Sequence, residues 1–370
     1  MRKIAVLLLT LSSSFIYAQS HYLLIGTYDS PESEGIHVFG FDTANGMVRP
    51  VSSFKTSNPS YLTVSPDEQH VYTVQETASK EGLGGKLKAL AFHKQTGMLS
   101  LLNEQHSWGD HPCHVVSDKS GKWIFAANYG GGSLAKFAVL PDGSLGPASV
   151  TRMTGSGPHA RQKSSHVHGN TIHPGNEWLI TTDLGTDSIH VFSFDPATGK
   201  LTKTKKGSVR SAPGSGPRLS VFRPDGRTLY VIEELSGTVA VYDFKNGKLK
   251  ARQSISTMLP GDTSFAGSAH IQVSPDGRFL YASNRGTANS IAIYSIGKKG
   301  NLYLLGHQPA GGIAPRNFSI DPSGKFLLVA NQLSNEVVVF NRDMQTGSLS
   351  QTSHRINLGK PVCLIFIKHQ

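Results

Sequence analysis

Five short phrases along the chain put a histidine or an arginine where an apolar run begins. They are Pro112-Cys113-His114, His166-Val167-His168, Gly216-Pro217-Arg218, Ser268-Ala269-His270 and Ala314-Pro315-Arg316. A second set of polar residues closes other apolar runs: Gln75-Glu76, Asn128-Tyr129, Asp183-Leu184, Glu233-Glu234, Asn284-Arg285 and Asn331-Gln332. Histidine titrates near neutrality and carboxylates accept protons, so either can serve acid–base chemistry. Arginine stays charged and grips a carboxylate, a phosphate or a developing oxyanion through paired N–H groups. If the two sets meet in space, they form a site for proton transfer on an anionic substrate. The alternative is a set of ion pairs that holds structural units together.

Whether they meet depends on the elements that carry them. One phrase recurs: a Pro/Asp/Gly turn, an apolar run, a polar loop, a second run and a Gly turn. It is clearest at Ser274-Pro275-Asp276-Gly277, Arg223-Pro224-Asp225-Gly226 and Asp321-Pro322-Ser323-Gly324, with weaker copies from Ser65, Asp118 and His173 and a truncated one at His21. The matching apolar positions are Leu24, Tyr72, Phe125, Ile180, Tyr230, Tyr281 and Leu328, seven copies with a period of about 50 residues. In the sixth copy, alternation predicts strands over 269–273, 279–283, 290–295 and 302–307. Nothing shows a helical period over ten or more residues. Four strands repeated at this period predict an all-β, seven-bladed β-propeller of four-stranded antiparallel blades, rather than a β-sandwich. Residues 361–367 read as a lone first strand, and the copy at His21 lacks one. Joining them closes the ring and leaves no free sheet edge.

Antiparallel order then places the polar residues. The Pro-Asp-Gly turns join the first strand to the second on one face of the disc. First-strand starts and second-strand ends therefore share the other face, around the channel that the first strands line. That face gathers His114, His168, Arg218, His270 and Arg316 with Asn128, Asp183, Glu234, Arg285 and Gln332. By period two, His166 and His168 point the same way, but no acidic third ligand stands near them in sequence and no metal or other cofactor is expected. Gly130-Gly131-Gly132 reads as a loop, and no G-x-S-x-G, H-E-x-x-H or P-loop motif occurs.

Composition narrows the partners. Glycine is 39 of 370 residues, above the usual ~7%, which suits many turns and excludes a coiled coil or a disordered chain. Lys+Arg exceed Asp+Glu by 36 to 25, a net +11. The excess is spread out; the densest run is Lys203-Thr204-Lys205-Lys206, so an anionic small molecule is expected rather than nucleic acid. Arg2 and Lys3, the apolar stretch from Ile4 to Leu11 and Ala18 before Gln19 read as a secretory signal peptide over 1–18, leaving one domain over 19–370 and a net +9. A periplasmic or secreted monomer with no membrane span is expected. Cys113 and Cys363 both open first strands with the strand after Pro59 between them, so they are expected too far apart for a disulfide.

The chain also resembles a known family, the β-propeller lactonases of the 6-phosphogluconolactonase type, related to carboxymuconate cyclases. The matching phrases are Asn58-Pro59-Ser60-Tyr61-Leu62, Ala127-Asn128-Tyr129-Gly130-Gly131-Gly132-Ser133, Asp183-Leu184-Gly185-Thr186-Asp187, Gly214-Ser215-Gly216-Pro217-Arg218, Glu234-Leu235-Ser236, Ala282-Ser283-Asn284-Arg285-Gly286 and Pro315-Arg316-Asn317-Phe318. The resemblance implies lactone ring opening and places the family's site pattern on His168, Arg218, Glu234 and Arg285. Leu219 departs from it, where the family often has His, and so does Glu233, where it often has Asn. Such a reaction needs a base for water, either His168 or Glu234, and cations for the oxyanion, Arg218 and Arg285. His114, Asn128, Asp183, His270, Arg316 and Gln332 would line the substrate. A muconate-type cycloisomerase and a non-catalytic carbohydrate- or protein-binding propeller are the competing readings.

Overall fold

A computed structural model describes residues 20–79, 81–204, 207–263 and 265–369. The expected signal peptide over 1–18 lies outside them. The described chain forms seven antiparallel sheets arranged as a propeller. Blade 1 is closed by the two ends of the chain: Pro361–Lys368 pairs with His21–Thr27, followed outward by Ile36–Phe41 and Val48–Phe54. The inner strands of blades 2 to 7 are Leu62–Val64, Pro112–Ser117, Val167–Ile172, Pro217–Phe222, Ser268–Val273 and Pro315–Ile320. Blade 6 completes its sheet with Phe279–Asn284, Ser290–Ile296 and Leu302–Pro309. These are the four strands that the alternation predicts, with ends one or two residues longer. Blade 4 adds a short extra strand, Val209–Arg210, beside Ser188–Asp195.

Each blade is apolar on both faces because it is packed between two neighbours. The seven recurring positions from Leu24 to Leu328 sit in second strands and are fully buried. One apolar cluster fills each of the seven interfaces; Tyr72, Val74, Ala126 and Phe137, for example, pack blade 2 on blade 3. Tyrosines add a polar strut. Tyr72, Tyr230 and Tyr281 each donate a hydrogen bond across the interface, to the carbonyls of Gly143, Gly300 and Gly347 at 3.0, 2.9 and 2.7 Å. A buried phenol left unpaired would be destabilising, so these bonds fix the stacking of blade on blade.

The Pro-Asp-Gly turns close on themselves. Asp276 accepts from the Ser274 hydroxyl and from the Arg278 backbone, and Gly277 takes the left-handed conformation at φ 69°. The inner strands meet in a closed ring at the other end. Thr182 donates to the Arg218 carbonyl at 2.7 Å, Leu364 donates to Asn317 at 3.0 Å and Leu62 donates to the Cys363 sulfur at 3.4 Å. Cys113 and Cys363 are free and buried, with the inner strand of blade 2 between them.

Candidate active site

The inner strands start with a shared device. In six of the seven, a residue in the left-handed region comes first: Asn58, His111, Gly216, Gly267, Ala314 and Lys360 have φ between 41° and 65°. A proline or serine follows, and then, except in blade 2, the ladder slips by one residue. The slip falls at Cys113, Arg218, Arg316 and Val362, and in blade 4 at His168. In blade 6 it falls within Ala269-His270. Such bulges turn a side chain out of the sheet, here toward the axis. Left-handed non-glycine residues such as His111 and Ala314 cost about 1 kcal/mol or more each, so strain is concentrated at the mouth.

Two tiers of side chains result. Ser60, Cys113, His168, Arg218, Arg316 and Val362 form the tier nearer the mouth. Tyr61, Leu219, His270 and Asn317, one residue further along, form the deeper one, and together they line a narrow axial cavity with room for about one water molecule. Blade 4 has Gly169 at the deeper level. A Cβ there would lie 2.8 Å from the Arg218 carbonyl oxygen, so glycine lets the arginine-bearing strand approach.

Glu234 is the centre of charge. It follows the second strand of blade 5 and is 3% exposed. Oε2 is held by Arg218 Nε at 2.8 Å and Arg285 Nη2 at 3.0 Å, and Oε1 by Arg161 Nη1 at 2.7 Å. Burial alone would raise this carboxyl, but Arg285, Arg218 and Arg161 outweigh it and hold the group ionised, below the usual carboxylate range. Arg218 also donates to the Ala269 carbonyl of the next blade, and Arg285 Nε donates to the Gly267 carbonyl at 3.0 Å. Burial lowers Arg285 to about 10.

His168 belongs to the same cluster. Burial, reinforced by Arg218, pushes it well below its ordinary value, so the ring is neutral at pH 7. Its Nδ1 lies 3.6 Å from the Cys113 sulfur, and Tyr129 packs edge-on against it at 5.4 Å. His166 stacks on the same tyrosine at 4.5 Å, so both histidines of this phrase flank one ring. Deeper in the channel, burial pushes His114 and His270 down to about 3. His114 leans on Tyr61, and His270 is hydrogen-bonded to Asn317 at 3.3 Å.

The remaining residues divide. Arg316 faces the cavity, donates to the Tyr28 hydroxyl at 2.8 Å and lies over the Tyr28 ring. Tyr28 in turn donates to Glu76 at 2.7 Å, and Ser60 donates to the same carboxylate oxygen. Gln332 lies on the rim of an open cleft with Arg161, Glu234 and Arg285. Asp183 and the amide nitrogen of Asn128 are spent on the frame. Asn128 donates to the Ser107 carbonyl and to Ser133, while Asp183 accepts from Ser165, His166 and Gly185 and so fixes the approach to His168. Arg161 and Tyr28 lie in connections outside the repeated strands, where no periodic signal marks them; Tyr129 directly follows the second strand of blade 3, at the end that the sequence pattern marks. A larger depression opens elsewhere around Arg223, Asp225, Arg252 and Lys298. Its carboxylates, Asp225 and Asp243, are paired with surface arginines, and it holds no histidine.

This arrangement can transfer a proton and stabilise negative charge on one small molecule at the mouth. Comparison with known proteins identifies the family. A 6-phosphogluconolactonase of Formosa agariphila is 40% identical over 336 residues, covering 89% of this chain and 94% of that protein. A 6-phosphogluconolactonase of Bacillus subtilis is 34% identical, with 94% and 98% covered. The periplasmic gluconolactonase of Pseudomonas aeruginosa superposes with a TM-score of 0.89 at 35% identity, covering 95% of this chain and 99% of that one. The family described as lactonase, 7-bladed beta-propeller, matches residues 22–366. The chain is therefore a member of that seven-bladed lactonase family.

Proposed function

We propose that this protein is a lactonase that hydrolyses a sugar-acid lactone at the channel mouth, and that Glu234 and His168 form its acid–base pair. The observation that carries the reading is a buried, ionised carboxylate with three guanidinium groups and a neutral histidine around it. Water gives a proton to Glu234, the near base, and its oxygen bonds to the lactone carbonyl carbon. Arg218 and Arg285 stabilise the oxyanion, worth about 3–4 kcal/mol for a well-aimed donor. The ring C–O bond then breaks, and the ring oxygen leaves as a hydroxyl with the proton returned from the Glu234–His168 pair. The new carboxylic acid ionises, so each turnover releases one proton.

The N-terminal segment supports a periplasmic or secreted location, as does the compartment named for the Pseudomonas aeruginosa relative. The protein acts as a monomer on this reading. Proton release at pH 7 from a panel of aldonolactones, with and without phosphate, tests the activity. Turnover of at least one member is expected. Stoichiometric sugar binding with no turnover would assign the site to recognition instead.

A further inference from the structure

The three arginines on Glu234 are not held alike. Arg218 is 3% exposed and tied into the next blade through the Ala269 carbonyl. Arg285 is anchored by the Gly267 carbonyl. Both bind Oε2, which leaves Oε1 to Arg161. The Arg161 side chain is 45% exposed and reaches Glu234 from the connection between blades 3 and 4; its other contact is the Tyr129 hydroxyl at 3.4 Å. Its backbone is fixed all the same. The adjoining Gln162 is fully buried, donates to the Leu184 carbonyl and to Asp187, and accepts from His159. Asp187 also accepts from Gly214 and Gly216, just before Arg218. A rigid base therefore carries a side chain that is free to swing over the open cleft.

Resting on the lactonase reading above, we propose that Arg161 is exchanged by substrate. It caps Glu234 Oε1 in the empty site and moves to an acid group on the bound lactone, which uncovers the oxygen that takes the proton from water. The preferred substrates are then lactones that carry a second acid group, a carboxylate or a phosphate, at the end remote from the ring ester. A neutral lactone has nothing to offer the guanidinium and leaves the carboxylate capped. Arg161 is on this account a specificity-determining residue: it spends its charge where substrate charge replaces it.

The test compares wild type with Arg161→Gln and Arg161→Lys on three probes: a neutral aldonolactone, one with a terminal carboxylate and one with a terminal phosphate. Wild type should prefer the acid-bearing lactones by tenfold or more in kcat/KM. Arg161→Gln should cut that preference at least tenfold, and Arg161→Lys should restore part of it. Equal losses on all probes, or an unchanged preference in a folded variant, would overturn the proposal while leaving the lactonase reading intact. A folded wild type that opens none of the three would overturn both. Whether the carboxylate or the phosphate probe is turned over faster identifies the acid group.

Discussion

Two carboxylates stand across the channel from each other, in blades 5 and 2, and they are used differently. Glu234 meets cations directly: Arg218, Arg285 and Arg161, at 2.7 to 3.0 Å. Glu76 meets hydroxyls, from Tyr28 and Ser60, and reaches a cation through Tyr28, which binds Arg316. A carboxylate that takes its bonds from neutral hydroxyls fixes positions. One that is held on one oxygen by anchored cations and on the other by a partly exposed cation at an open cleft can change that last partner when an anion arrives. On the proposed function the Glu234 side is the reacting side, and the Glu76 side orients Arg316 through Tyr28.

The largest effect should come from breaking the Glu234–His168 unit. Glu234→Gln and His168→Gln should each lower kcat/KM by about 10²–10⁴-fold. The double variant should fall little further than the worse single one, because the two act as a pair. Fully multiplicative losses in the cycle would mean independent roles, and His270 would be the next candidate for the base.

A smaller effect separates the arginines of the two sides. Arg218→Lys keeps the charge but cannot bond Glu234 and the Ala269 carbonyl together, so kcat/KM should fall by roughly tenfold or more, about 1.4 kcal/mol. Arg316→Lys, on the Glu76 side, should cost roughly threefold, mostly in KM. Unchanged kinetics in Arg218→Lys with a lower Tm would make that arginine structural.

The smallest effect is on stability. His270 is pushed down to about 3 in the folded protein, from about 6.5 when unfolded. The unfolded chain therefore binds a proton first, and stability falls as pH drops from about 6.5 toward 3. His270→Gln should flatten the decline in Tm between pH 7 and 4. A decline as steep as in wild type would place the proton uptake elsewhere, first at His114, which titrates alike.

Much of this was legible in the sequence. The spacing from Leu24 to Leu328 defines the blades, and the unpaired run at 361–367 defines the closure, because both follow from period two and from turn chemistry. The face that carries Arg218, Arg285, His168 and Glu234 follows from antiparallel order alone. Depth in the channel was not legible. His114 and Cys113 are neighbours in one phrase, yet the bulge gives the mouth to Cys113 and the deeper level to His114, and alternation cannot place a slipped residue. Arg161 was hidden for another reason. It lies in a connection, where position comes from Gln162 and Asp187 rather than from a repeat. Asn128 and Asp183 were visible as second-strand ends, but the Asn128 amide nitrogen and the Asp183 carboxylate are taken up by nearby backbone and hydroxyl groups.

The most direct measurement compares Glu234→Gln with Glu76→Gln by proton release on the best lactone of the panel, with Tm recorded for both. Glu234→Gln should lose nearly all activity while staying folded, and Glu76→Gln should retain it within about tenfold. A folded Glu234→Gln that turns over like wild type, or a Glu76→Gln that loses as much as Glu234→Gln, would contradict the placement of the chemistry on the Glu234 side.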